Sequence, residues 1–108
     1  MKIVKEVAKK IETEELGYKY SYRLTANKFE GKEIFGVEVE RFDYLDGELV
    51  NIERDGVEKI SHDVLKVSEL FDIISESIVS PIHLIDVIGD KIDRCIEEIN
   101  EERAMAYN

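Results

Sequence analysis

Near Ser61 the chain changes the spacing of its apolar residues, and that switch constrains the fold more than any other feature. Upstream, Tyr18, Tyr20, Tyr22 and Leu24 alternate with Lys19, Ser21, Arg23 and Thr25. A period of two places one set of side chains on one face of a strand. Phe35, Val37 and Val39 alternate in the same way with Gly36, Glu38 and Glu40. A third run, Val50 and Ile52 against Leu49, Asn51 and Glu53, is shorter and less regular. Turn signals separate the runs: Asn27 to Gly31, Asp46-Gly47 and Asp55-Gly56. Asp-Gly suits a turn because glycine reaches positive φ without a Cβ clash. These runs predict an antiparallel meander with one buried and one wet face.

Downstream, Val64, Val67, Leu70, Phe71, Ile74 and Ile78 recur at steps of three and four, one face of a helix. Ser61 is the expected N-cap, with Asp63 complementing the dipole in the first turn. Ser80-Pro81 then restarts the chain, since proline fits the first helical position, where its missing N–H would have lacked a partner anyway. Leu84, Ile85, Ile88, Ile92, Cys95, Ile96 and Ile99 form a second stripe, opposite a strongly acidic face. A link this short makes the two helices neighbours.

Residues 1–13 fit two templates. Ile3, Val4, Val7, Ala8 and Ile11 match a helical stripe, while Ile3, Val7 and Ile11 also share one face of a strand interrupted by Lys5 and Lys9. The strand is preferred, because Glu14 to Gly17 can close a hairpin onto the tyrosine run. The expected architecture is α+β: a three- or four-stranded antiparallel meander followed by two C-terminal helices packed on one face. A single domain over 1–108 is expected, mainly strands over 1–54 and two helices over 61–104.

Composition narrows the setting. A chain of 108 residues, 44% hydrophobic and 37% charged, buries enough surface to fold without bridges, and its single cysteine, Cys95, permits none internally. The first residues are charged and lack the apolar core of a secretory leader, and no apolar run approaches bilayer length, so a cytoplasmic protein with no membrane partner is expected. The net charge is −10 and uneven: residues 1–31 carry seven Lys/Arg against five Glu, residues 32–108 eight against twenty Asp/Glu. Such a field repels a phosphate backbone, and Lys2, Lys5, Lys9 and Lys10 are too few to override it, so nucleic acid is not an expected partner. The lysines read better as guards of an exposed strand or helix face.

Two stretches, Phe35-Gly36-Val37-Glu38-Val39-Glu40 and Val79-Ser80-Pro81-Ile82-His83-Leu84-Ile85-Asp86-Val87-Ile88, resemble a family of short uncharacterised bacterial proteins, mostly from Firmicutes. The resemblance runs over most of the chain. It implies an α+β protein of unknown function and hands over no catalytic residue. Gly89 departs from the family pattern, where an acidic residue is expected; it costs the helix about 1 kcal/mol against alanine, or marks a close packing point.

Four groupings of side chains bear on chemistry. His83, Asp86 and Asp90 can project from one helical face, a ligand set that Zn²⁺, Mn²⁺ or Fe²⁺ would accept, although Asp86 also reads as an ordinary first-turn acid. His62-Asp63 opens the preceding helix; with that helix about 17 residues, or about 25 Å, long, His62 and His83 stand too far apart for one metal. Cys95 lies on an apolar stripe and behaves as a small hydrophobe. Tyr18, Tyr20 and Tyr22, with His83, line a ligand pocket between sheet and helices, or else the tyrosines are half of the core.

Phosphate-loop, CxxC, GxSxG and HExxH patterns do not occur in the sequence. The leading reading is a non-enzymatic protein-interaction or regulatory module with no cofactor, bound to a protein partner or to itself. The alternative is a small metal- or ligand-dependent enzyme using His83 and Asp86. A third reading, an acidic decoy built on Asp90 to Glu102, rests on residues that a solvated helix face also explains.

Overall fold

The computed structural model describes residues 1–106. Four strands, β1 (Lys2–Glu12), β2 (Leu16–Phe29), β3 (Lys32–Leu45) and β4 (Glu48–Ser61), form an antiparallel meander in sequential order. Two helices follow, α1 (Val64–Glu76) and α2 (Leu84–Ala106), the second preceded by a 3₁₀ turn at Pro81–His83. The fold is therefore α+β, with four strands, and residues 2–12 are a strand. No described helix is long and apolar enough to cross a membrane.

The alternation in β2 and β3 does what its period dictates. Tyr20, Tyr22, Leu24, Ala26, Phe35, Val37 and Val39 turn to one face and meet Val67, Leu70, Phe71 and Ile74 of α1 and Leu84, Ile88 and Ile92 of α2. β1 needs a correction. A bulge after Ile3 puts Ile3 opposite Thr25, on the open face, whereas Lys5, Val7, Lys9 and Ile11 lie on the helix face. Lys5 is not an interruption there: its ammonium sits 5.2 Å over the Phe71 ring and 3.7 Å from Asp72, closing the core's rim.

Asp55-Gly56 is not a turn. It lies inside β4, where Gly56 pairs with Glu38, and the strand runs on to Ser61 rather than ending near residue 54. The true irregularity falls just beyond. Phe35 pairs with Ser61 and Val37 with Val57, so the single residue Gly36 faces the three residues Glu58 to Ile60. A Cβ on Gly36 would overlap the carbonyl oxygens of Val57 and Glu58, so only glycine admits the bent strand so close. A second irregularity sits beside Asp43 and Tyr44, where Val50 is the extra residue; Leu49 and Ile52 therefore share a face, which strict alternation would deny.

The cap of α1 also differs from expectation. Asp63, not Ser61, is the N-cap, its carboxylate accepting from the Leu65 N–H at 3.0 Å, while the Ser61 hydroxyl accepts from the Asp63 N–H. The helix stops at Glu76, 13 residues long, and excludes Ile78. Ile78 adopts φ of 50°, and the N–H groups of Ile78 and Val79 close back on Ser75 and Ile74, a left-handed stop of the Schellman type. Ser80-Pro81 does restart the chain, but as one 3₁₀ turn whose Ser80 hydroxyl caps nothing. Gly89 is not a packing point between elements: a Cβ there meets only Ile85, a neighbour on the same helix, at 3.2 Å.

The two layers differ in length. Strands of 14 residues reach about 46 Å, whereas α1 spans about 20 Å. The molecule is correspondingly elongated, 61 × 24 × 19 Å. α1 crosses β2 and β3, and α2 returns against β4 until Arg103 meets Glu30 at the β2–β3 turn, 2.8 Å away. The helix layer ends at the row of Tyr20 and Arg41, where Arg41 approaches the Ser80 hydroxyl at 3.5 Å. Two glycine variants test this account by thermal melting. Gly36→Ala is expected to cost several kcal/mol, roughly the range of severe core disruption. Gly89→Ala, beside an Ile85 that is 52% exposed and able to move, is expected to stabilise by about 0.5–1 kcal/mol.

Candidate functional site

The tyrosine row divides along its length. Tyr22 is fully buried, and its hydroxyl donates to the Val79 carbonyl at 3.0 Å across the sheet–helix interface. Burial pushes that hydroxyl well above the ordinary tyrosine value, with the nearby Tyr20 adding to the shift. Tyr20 stacks parallel to it, ring centroids 6.1 Å apart, and is likewise core. Tyr18 lies beyond the helix layer, half-buried, with the Arg41 guanidinium 5.7 Å over its ring. The geometry that joins Tyr22 to the helices is thus a packing contact.

Around Arg41 the rim of the helix face is closed by charge. Its guanidinium donates to Asp43 at 2.8 Å and meets Glu53 at 3.1 Å, and Asn51 donates to the same Asp43. The hydrogen bonds of Asp43 hold Arg41 above its ordinary value despite partial burial. Arg41 pairs directly across the strands with Tyr20, so this cluster borders the tyrosine row.

His83 and Asp86 stand together on the first turn leading into α2, Nδ1 to carboxylate 3.7 Å, with both side chains mostly in solvent. Asp90 is exposed one turn on. His62 lies elsewhere, at the end of β4, where its Nδ1 sits 2.7 Å from the Glu33 carbonyl and must therefore be the protonated nitrogen. Its ring stacks on Phe29, and its cleft, about 270 Å³, is also lined by Lys66, Glu98, Glu102 and the buried Cys95. The groups there are largely committed. Asp63 caps α1, Lys66 pairs with Glu98, and burial pushes the Cys95 thiol above its ordinary value, away from a reactive thiolate. Among the described residues no three His, Cys, Asp or Glu side chains come together as a metal site.

The uncovered end of the sheet presents a different surface. On the face away from the helices two rows cross all four strands: Lys10, Lys19, Phe42 and Ile52, then Glu12, Gly17, Tyr44 and Leu49. Ile52 is 43% and Leu49 49% exposed, and Val50 bulges beside them at 58%. A cleft of about 460 Å³ opens here, where the Glu14–Glu15 turn is tied to the next hairpin by the Asp46 N–H donating to the Glu15 carbonyl. Tyr18, Tyr44, Lys10 and Lys19 are among its walls, and Gly17 keeps its floor clear. Strict alternation hid this surface, because the Val50 bulge is what brings Leu49 and Ile52 to one side.

A protein family described as a family of unknown function, DUF6514, matches residues 1–94. The chain belongs to DUF6514. No curated protein and no solved structure matches it. The DUF6514 match spans the whole sheet, α1 and the first half of α2, so the uncovered sheet end falls entirely within it. Of the residues around the His62 cleft, Cys95, Glu98, Glu102 and Arg103 follow the matched span. The Tyr22 contact is open to a direct measurement. Tyr22→Phe is expected to cost about 1–2 kcal/mol by leaving the Val79 carbonyl unpaired, lowering the melting temperature by roughly 4–10 °C. An unchanged melting temperature would contradict a structural role for the hydroxyl.

Proposed function

We propose that this protein is a non-enzymatic interaction module of the cytoplasm, binding a protein through the end of its sheet that the helices do not cover. One observation carries the reading: Phe42 against Ile52 and Tyr44 against Leu49 form cross-strand apolar pairs on an open face. Such pairs stabilise a sheet whether or not anything covers them, but in water their outer surface stays exposed. Leu16, Leu45 and Ile11 add further exposed apolar area at the same end, on the other side of the sheet, each at least 40% exposed. Exposed apolar surface rimmed by charge is the usual signature of a protein contact. The net charge of −10 supports a protein partner over a nucleic acid.

The experiment uses the full chain immobilised as bait, compared with a Leu49→Lys/Ile52→Lys variant that circular dichroism shows to be folded. Sedimentation velocity of both distinguishes self-association from a foreign partner. The expected result is a partner, or a dimer, that the wild type retains and the double variant loses by tenfold or more. Equal retention by both chains would remove the uncovered sheet end as the binding surface.

A further inference from the structure

We infer that the free edge of β4, over Asn51–Val57, accepts an extended peptide as a fifth strand, one in which apolar residues alternate with lysine or arginine. The inference rests on the reading above, that this end of the sheet binds a protein, and adds where and what it binds. Of the two sheet edges, β1 is guarded. It bulges after Ile3, carries Lys2, Lys5, Lys9 and Lys10, and folds Lys5 inward over Phe71. Lysines and bulges on an edge are the ordinary means by which sheets refuse a further strand.

Along its middle β4 has neither a lysine nor a bulge, although Glu53, Arg54 and Asp55 are charged and the 3₁₀ turn at Pro81–His83 packs against the strand. Between its two irregularities, Asn51 to Val57 keep unbroken register with Asp43 to Val37, a regular stretch of seven residues. In an antiparallel edge strand the backbone groups facing away from the neighbour have no ladder partner, so such a stretch is a template for another strand, although within it the Gly56 N–H already donates to the Asp55 carboxylate. Most of it is exposed.

The side chains on this edge are sorted by face, and that sorting specifies the guest. On the open face the edge shows Ile52, with Leu49 beyond the bulge, while Arg54 is held by Glu40 at 3.0 Å. On the helix face it shows Asn51, Glu53 and Asp55, with half-buried Val57 at the end of the stretch. Glu53 is partly neutralised by Arg41, but Asp55 bonds only its neighbouring Gly56 N–H through one oxygen and keeps its charge. A guest strand has the same period of two. Its residues on one side must therefore suit Ile52 and Leu49, and those on the other must suit Glu53 and Asp55. Apolar alternating with basic meets both demands. A second copy fits less well, because pairing β1 in this place sets its Lys10, Ala8 and Glu6 on the Ile52 side.

The test titrates three eight-residue peptides into the full-length chain: valine alternating with lysine, valine alternating with glutamate, and a peptide of the first composition with residues in like pairs. Amide hydrogen exchange reads the site. The alternating valine–lysine peptide is expected to slow exchange across Asn51–Val57 and to bind at least tenfold tighter than the other two. Its affinity is expected to fall about tenfold in Asp55→Lys and to weaken with added salt. Equal binding of all three peptides, protection on Lys2–Glu12 instead, or a β4-mediated dimer of the chain alone would overturn the inference. If the peptide fails while Leu49→Lys/Ile52→Lys still loses its partner, the edge-strand inference falls and the interaction surface stands.

Discussion

The close approach at Gly36 is the constraint on which the rest of the architecture depends. Opposite this one residue β4 takes up three, and the extra length swings its final turn across the sheet. Ile60 thereby becomes fully buried, and Ser61, His62 and Asp63 are delivered to the point from which α1 starts. Without a residue lacking Cβ at position 36 the carbonyls of Val57 and Glu58 could not lie where they do. The path by which β4 reaches the start of α1 therefore depends on the size of one side chain.

On the open face stability is obtained by charge instead of cover. Arg23 on β2 is gripped by Glu6 on β1 and by Glu38 and Glu40 on β3, and Arg54 on β4 holds Glu40 from the other side. Burial works against the Arg23 charge, yet the hydrogen bonds of Glu40, Glu6 and Glu38 outweigh it and keep the guanidinium above its ordinary value. This belt joins all four strands in one register. A slip by one residue would turn its members toward the core, so it also opposes alternative pairings. Ser21 and Thr25 are buried beneath these long side chains although no helix covers them.

Much of this was legible from residue spacing, and the failures have specific causes. The switch of period near Ser61, the strand character of residues 2–12 and the restart at Ser80-Pro81 all follow from side-chain direction, which spacing encodes directly. What spacing cannot encode is an inserted residue. Each bulge reverses the faces beyond it, so spacing alone puts Ile3 on the wrong side and separates Leu49 from Ile52. Asp55-Gly56 resembles a turn because glycine serves close backbone approach as readily as positive φ, and at Gly56 the neighbour is the Val37 carbonyl. Spacing turns Tyr22 inward, but its bond to Val79 depends on a loop conformation that composition does not reveal.

That loop also decides how much of the sheet stays bare. The stripe through Ile74 and Ile78 would carry α1 another turn along the strands, yet the chain stops at Glu76 by forcing Ile78, a β-branched residue, into the left-handed region. The strain is offset by two backbone bonds of the stop and by the Val79 carbonyl, which the stop aims at the Tyr22 hydroxyl. A longer α1 would run over Arg41 and Asp43 toward Tyr18; the observed one leaves that rim to ion pairs. The hairpins beyond it keep their apolar cross-strand pairs without any element among the described residues to shield them. A protein that needed only to be stable could shorten those hairpins at little cost to the core beneath α1, since none of Phe42, Tyr44, Leu49 or Ile52 belongs to it. Their length therefore does not derive from the core beneath the helices.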